Sequence, residues 1–417
     1  MSAEDQIRDS IDHLFRHRAG QMVSVLVRQF GVANIELVED AVQDALVSAM
    51  KKWPYSGVPD NQSAWLIQTA KNRVIDQLRR DAKSDSIDAN DIDIPEEREA
   101  ETRFESELTE DQVRMMFACC NPAIPADSRV ALTLKIVGGF TVSEIARAYL
   151  ANDEAIAKML TRAKQRFRTI DLEIPAGIDL KERLDAVLRV LYLMFNEGYS
   201  ASEGSDLFRQ DLCEEAIRLA RILLGHPLTS MPLVHALTAL FLFQAARLTT
   251  RIDAAGDLLL LADQDRSQWD RGMLATGLDH FRLAASGNEL NDYHIEAEIA
   301  SLHALAPDYS ATDWEGIIGC YDALLTRRFS PVVTLNRLVA VGESRGAEAA
   351  LDELSGLASN YLMTSFNLYH VTRAHFLAKL GRHREAADSY AKAAELTKNE
   401  TVLRFIRRKI EMLKSYE

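Results

Sequence analysis

The fold class predicted for this chain is all-α, and three observations carry the prediction. Apolar residues recur at steps of three and four, as in Val38, Val42, Ala45, Ala49 and Trp53, and again in Leu66, Ala70, Val74 and Leu78, so each set lies on one helical face. Short runs containing Gly, Pro and Asn separate such stretches. Towards the C-terminus, small and aromatic residues repeat at a period of about 35 residues, the mark of stacked helix pairs. A length of 417 residues exceeds one compact helical core and implies two to four domains.

Taken in order, Ile7 to Phe30 reads as one helix with a break, its apolar side made by Leu14, Phe15, Met22, Val25, Leu26 and Phe30, and Gly31 ends it. Asn34 is placed to cap a helix from Glu36 to Lys52. The loop WPYSGVPDN follows, where Pro54, Gly57 and Pro59 are expected to stop that helix. Asn61 or Ser63 caps the next one, which runs to Arg80. The two helices carry different chemistry on their free faces. Asp40, Gln43 and Asp44 make the first acidic and amide-bearing; Gln68, Asn72, Arg73, Asp76, Gln77, Arg79 and Arg80 leave the second rich in Arg and Asn.

Helical periodicity then lapses, and the charge explains why. From Asp81 to Asp111 there are thirteen acidic residues against three basic ones, too much like charge for a packed element. Outside that stretch the first 170 residues hold 19 basic and 14 acidic residues, while 171–417 hold 26 and 35. The net charge of −14 therefore hides two mildly basic modules joined by an acidic tether and followed by an acidic half. Uniform nonspecific DNA binding along the whole chain is not expected, and local phosphate contacts by the first two modules are.

Periodicity returns near Leu108. In GGFTVSEIARAYLANDEAIAKMLTRAKQRFR, Thr141 and Glu144 have capping-box spacing, and Asn152 or Asp153 caps a second helix. Ile145, Ala146, Tyr149, Ile156 and Leu160 supply a small shared core, which makes a helix-turn-helix. Its second helix is expected to present Lys158, Arg162, Lys164, Arg166 and Arg168 to phosphates and groove edges.

From Asp179 onward helix follows helix. The clearest repeat is RAHFLAKLGRHREAADSYAKAAEL, with Ala374, Leu377, Gly381, Ala386, Tyr390 and Ala393 at tetratricopeptide spacing. Gly346 precedes Gly381 by 35 residues and Tyr321 precedes Tyr390 by 69, so three repeats are expected from Asp292 to Lys398, then a capping helix. Residues 180–286 show no period. Within them NEGYSAS (Asn196 to Ser202) and DQDRSQWD (Asp263 to Asp270) are expected to cap helices and join domains, because no His, Cys or Gly-rich phosphate loop accompanies them.

No apolar run approaches the roughly 20 residues of a membrane span, and MSAEDQIRDS lacks a signal-peptide core, so a cytoplasmic protein is expected. Cys119, Cys120, Cys213 and Cys320 form no CxxC pair; they are expected reduced and mostly buried, with no metal site and no cofactor.

The strings EDAVQDALVSAMKKW and AWLIQTAKNRVIDQLRR, an acidic linker and then GGFTVSEIARAYL together resemble the extracytoplasmic-function sigma factors of the sigma-70 superfamily. The resemblance covers about residues 7–170, and the remainder resembles the subgroup with a long tetratricopeptide-like extension. It implies region 2 over 1–82, a linker over 83–107 and a region 4 helix-turn-helix over 108–172. A helical extension domain over 178–288 and repeats over 289–417 follow.

It further implies that Asp40, Gln43, Asp44, Leu46 and Met50 dock on the clamp of the largest subunit of core RNA polymerase. Asn72, Arg73, Asp76, Arg79 and Arg80 are implied to hold a melted minus-ten strand, with the Tyr55 to Asn61 loop as the rim that takes an unstacked base. Trp65 belongs either to this surface or to the core. At the minus-thirty-five element, Glu154, Lys158, Arg162 and Arg166 are the implied contacts. Here the chain departs from the family run, with Ala157 and Met159 where Lys and Arg are common and Glu154 where Gly is usual. The acidic linker either mimics nucleic acid in the polymerase cleft or is a solvated spacer.

The function implied is promoter-directed transcription initiation without covalent chemistry by this chain. Core polymerase and promoter DNA are the partners, and the extension regulates in cis or docks a protein regulator. A helix-turn-helix regulator whose repeats sense a ligand or peptide, acting without polymerase, is the other class these residues allow. An enzyme is not supported.

Overall fold

The computed structural model describes residues 18–57, 59–84, 105–149, 151–201, 204 and 206–415, and the fold is all-α. Its only β pairing among the described residues is two isolated bridges, Gly204 with Asn399 and Ile252 with Leu258. No described helix is long and apolar enough to cross a membrane. The chain divides into two compact units, Met1–Leu193 with Arg221–Ser230, and Met194–Ala220 with Met231–Glu417.

Among the described residues the first unit begins within α1 (18–30 of it described), whose Met22, Val25 and Leu26 are buried; Leu14 and Phe15 lie outside the described residues. Gly31 ends α1 at φ +83, a left-handed backbone that side chains other than glycine resist. A 3-10 turn, Val32–Asn34, leads into α2 (Ile35–Ser56), and α3 (Gln62–Ser84) returns beside it. Val38, Val42, Ala45 and Ala49 of α2 and Leu66, Ala70 and Val74 of α3 are fully buried, as their spacing predicts.

Two expectations are corrected here. Asn34 precedes α2 but does not cap it with its side chain, which instead donates from Nδ2 to the Phe30 carbonyl at 2.7 Å. Nor does Pro54 stop α2, which continues to Ser56 and closes through the Gly57 N–H on the Trp53 carbonyl, 3.1 Å. A proline in the last turn has no N–H to give the helix, and the residue before it, Trp53, packs edge-on against Trp65 of α3 (centroids 5.6 Å apart). Asn61 rather than Ser63 caps α3, its Oδ1 accepting the Ala64 N–H at 3.0 Å.

After α4 (Glu105–Cys119) and α5 (Ala126–Ile136) come α6 (Val142–Tyr149) and α7 (Asp153–Phe167). Both helix starts follow the sequence. Thr141 Oγ1 accepts the Glu144 N–H while the Glu144 carboxylate accepts the Thr141 N–H at 2.7 Å, and Asn152 Oδ1 accepts the Ala155 N–H at 2.7 Å. Ile145, Ala146, Ile156 and Leu160 are buried between the two helices.

Helices α8 (Gly177–Tyr199) and α9 (Gln210–Leu224) each run across the division between units. In the second unit α10 (Pro232–Ala245) is buried almost all round, from Val234 to Phe243, so it is the axis of that core. The expected run of helices is interrupted at 246–270, where the chain makes three 3-10 turns and a tight loop around Gly256 (φ +78) instead. Asp253 caps that loop, taking the Ala255 and Asp257 N–H groups at 2.9 Å each, a local bonding choice that competes with helix.

Then come α11 (Arg271–Ala284), α12 (Asp292–Leu305), α13 (Trp314–Arg327), α14 (Pro331–Ser344) and α15 (Ala347–Ser355). The short α16 (Tyr361–Thr364), α17 (Asn367–Lys379), α18 (His383–Leu396) and α19 (Glu400–Lys414) complete the chain. Gly346 (φ +98) and Gly381 (φ +72) occupy matching turns, α14 to α15 and α17 to α18, where left-handed backbone is required. Ala374, Ala386 and Ala393 are fully buried between α17 and α18, and Tyr390 fills the space beside them. All four cysteines are free and buried.

Candidate functional site

On α2, Asp40, Gln43 and Asp44 are exposed on one face, with Met50 exposed and Leu46 half-buried beyond them. On α3, Asn72, Arg73, Asp76, Arg79 and Arg80 are exposed. The two faces are not separate. Arg73 Nη1 lies 2.5 Å from Asp44 Oδ2, and Arg73 Nη2 donates to Ser48 Oγ at 3.0 Å, so an expected DNA contact is paired with an expected polymerase contact. Both side chains are largely exposed, which makes the pair exchangeable. A polar cavity of about 490 Å³ lies here, bordered by Asp40, Asp44, Arg73, Arg80 and Arg168.

Other candidates are also placed. Asn72 Oδ1 accepts from Gln68 Nε2 at 2.9 Å, and Arg80 Nε donates to the Asp76 carbonyl at 3.2 Å. Asn61 spends its Oδ1 as the cap of α3. Trp65 is half-buried against Trp53, whereas Tyr55 on the same end of the hairpin is 93% exposed.

On α7, Glu154 and Lys158 form an exposed i,i+4 pair at 2.6 Å, while Arg162 and Arg166 are exposed. Lys164 and Arg168 correct the expected outward row of cations. Lys164 turns inward, its Nζ 2.6 Å from Glu39 Oε2, and Arg168 pairs with Glu36. Glu39 is buried, and the Lys135 ammonium lies 3.9 Å from its other oxygen. Burial lowers the Lys135 pKa, and the nearby Glu39 charge opposes that shift. The sequence held a signal for this cluster: Ile35, Val38, Glu39 and Val42 share one face of α2, so Glu39 is a carboxylate set in an apolar stripe.

Several side chains of the two polar strings of the extension tie down local structure. Asp265 takes the Ser267 N–H and Asp270 caps α11 through the Met273 N–H, both at 2.9 Å. Arg266 Nη1 donates to the carbonyls of His303 (2.6 Å) and Ala306 (2.9 Å) at the end of α12. Glu197 pairs with Arg209 at 3.0 Å. Among the described residues no group of His, Cys, Asp and Glu has the geometry to hold a metal ion.

Comparison with known proteins fits this hairpin. Residues 14–84 match sigma-70 region 2, and residues 183–285 match a family of unknown function, DUF6596. An uncharacterized protein of Rhizobium meliloti is 40% identical over 399 residues, covering 94% of this chain and 93% of that protein. No solved structure matches. Residues 14–84, on the α2/α3 hairpin, thus carry a sigma-70 region 2 module, and a relative aligned along nearly the whole length places this chain in one family with the Rhizobium meliloti protein.

Proposed function

We propose that the protein is an alternative sigma factor of the extracytoplasmic-function type, which binds core RNA polymerase and directs promoter recognition, melting and initiation. The observation that supports this most is the region 2 match over a hairpin whose exposed faces carry Asp40, Gln43 and Asp44 on one helix and Asn72, Arg79 and Arg80 on the other. Carboxylates and an amide at helical spacing suit Arg side chains on a polymerase helix. Docking there exchanges Asp44 from Arg73 to the partner and frees Arg73 for nucleic acid. Tyr55, almost fully exposed at the hairpin end, is suited to stack an unpaired base.

In this reading α6 and α7 are the region 4 helix-turn-helix, with Arg162 and Arg166 on phosphates and the Glu154–Lys158 pair at the base edges. The helix pairs from α12 to α19 are tetratricopeptide-like, and the extension regulates the first unit's activity in cis. The chain catalyses no covalent step; nucleotide addition belongs to the polymerase.

Transcription from a promoter library with purified core polymerase tests the reading. A promoter-specific transcript is expected, reduced at least tenfold by Asp40→Ala with Gln43→Ala. No such transcript from either the full chain or a chain ending at residue 175 overturns it. Duplex binding without polymerase and indifferent to the α2 substitutions marks a plain helix-turn-helix regulator instead.

A further inference from the structure

Three arginines of the second unit gather on aromatic rings without a carboxylate. Arg251 stacks 4.0 Å above Tyr199, Arg247 lies 5.6 Å from the same ring, and Arg266 lies 4.8 Å over Trp269. Their hydrogen-bond acceptors are neutral: Gln244 Oε1 for Arg247, the Tyr199 carbonyl for Arg251, and the His303 and Ala306 carbonyls for Arg266. No carboxylate among the described residues forms an ion pair with any of the three. The carboxylate of Asp308, whose field reaches Arg266, accepts from Ser310 and Ala311.

The groups are close enough to feel one another. Burial first, and then repulsion from Arg247, lowers the pKa of Arg266; burial dominates for Arg251 too, with Arg247 adding to the shift. His303 is driven down to about 3 by burial and then by Arg247 and Arg266. Two helix C-termini, those of α8 and α12, face these cations, but each offers only about −0.5 charge, roughly −1 against three positive groups. With the Asp308 charge also reaching Arg266, the positive charge of the cluster is still only partly balanced.

Polar atoms without partners surround the same place. Arg266 Nη2, Trp269 Nε1, Tyr199 OH and Thr312 Oγ1 are all buried and unbonded. Trp269 is 3% and Thr312 5% exposed. Thr312 sits in the turn before Trp314, whose ring packs on both His303 and Tyr309. Two of the four atoms can only donate, and the hydroxyls can do so. Donors without acceptors beside partly balanced cations suit a ligand that is anionic and rich in acceptors. Arg247 uses one nitrogen on Gln244 and has no other nitrogen that is both buried and unbonded, so its fork is reachable from solvent.

We propose that Arg247, Arg251 and Arg266, with Tyr199 and Trp269, form a binding site in the extension for a small oxyanion-bearing ligand, a phosphate or a carboxylate compound. Arg247 receives the anion, and the Tyr199 hydroxyl and the Trp269 indole N–H supply directional donors.

The full-length protein is titrated with inorganic phosphate, pyrophosphate and citrate, each against chloride at matched ionic strength, reading thermal stability and calorimetric heat. Saturable stabilisation by at least one oxyanion is expected, and which one binds identifies phosphate or carboxylate chemistry. Arg247→Gln is expected to weaken it at least tenfold, and Arg282→Gln, an exposed arginine of α11, to leave it unchanged. Should Arg247→Gln misfold, Tyr199→Phe keeps the ring and removes only the hydroxyl, with several-fold weakening expected. No saturable response to any of the three, a response that chloride reproduces, or equal binding by a folded variant overturns the site. The readout needs neither polymerase nor promoter, so its failure is separate from that of the sigma-factor reading.

Discussion

Glu39 shows how differently two carboxylates one helical turn apart behave. Its side chain is buried between Lys135 and Lys164, whereas Glu36 and its partner Arg168 are solvent-exposed. Removing one member of a buried ion cluster strands the others, at a cost of about 3–5 kcal/mol, while an exposed pair contributes roughly 0–1 kcal/mol. Glu39→Ala is therefore expected to lower the urea midpoint sharply and Arg168→Ala barely to move it; equal effects would refute the distinction. His303 offers a pH signature. Its folded pKa near 3 lies below the ordinary 6.5, so between those values the unfolded chain binds the extra proton. The stability it contributes is complete above about pH 6.5 and is lost as the pH falls toward 3, at up to about 1.4 kcal/mol per unit. His226, His235 and His294, also lowered chiefly by burial, act with the same sign. Denaturant unfolding of His303→Gln between pH 6.5 and 4.5 is expected to show a shallower loss than the wild type.

Helix boundaries separate what is local from what is not. The caps on α6 and α7 follow from residue spacing alone, and Asn152→Ala is expected to cost about 1 kcal/mol in thermal unfolding. Pro54 and Asn34 break the same rules, because a helix end is also decided by what it packs on: Trp53 is held by Trp65, and Asn34 reaches back to α1. Gly342, within α14, shows packing outweighing propensity. A Cβ there would fall well inside contact distance of the Phe376 ring of α17, which is fully buried and has no room to swing. Alanine gains at most about 1 kcal/mol of helix propensity and incurs about 1–3 kcal/mol of overpacking. Gly342→Ala is thus expected to destabilise, and a rise in melting temperature would show that α14 and α17 can separate at low cost.

At the scale of the molecule the proposed role makes its own demands. If Arg162 and Arg166 contact phosphates, replacing either by alanine weakens promoter binding uniformly across sequences and lowers the salt-dependence slope by about one. Fluorescence anisotropy of the polymerase complex at several salt concentrations measures this; an unchanged slope removes the residue from the interface. Deletion after residue 175 is expected to change transcription or polymerase affinity if the extension regulates in cis, and no change in either refutes that part.

Periodicity made amphipathic helices such as α2 and α3 legible, because a buried stripe needs only spacing of three and four. It also exposed Asp40, Asp44, Arg79 and Arg80 as surface, and the order of four short motifs pointed to the sigma-70 family. Partners distant along the chain were beyond it. That Lys164 turns inward to Glu39, that Arg73 closes on Asp44, and that Arg247, Arg251 and Arg266 meet on Tyr199 and Trp269 were settled by the tertiary structure. Lys164 and Glu39 are 125 positions apart, Arg73 and Asp44 are 29 apart, and Arg251 and Tyr199 are 52 apart, and charge and propensity along a helix carry no information about which remote group will face it.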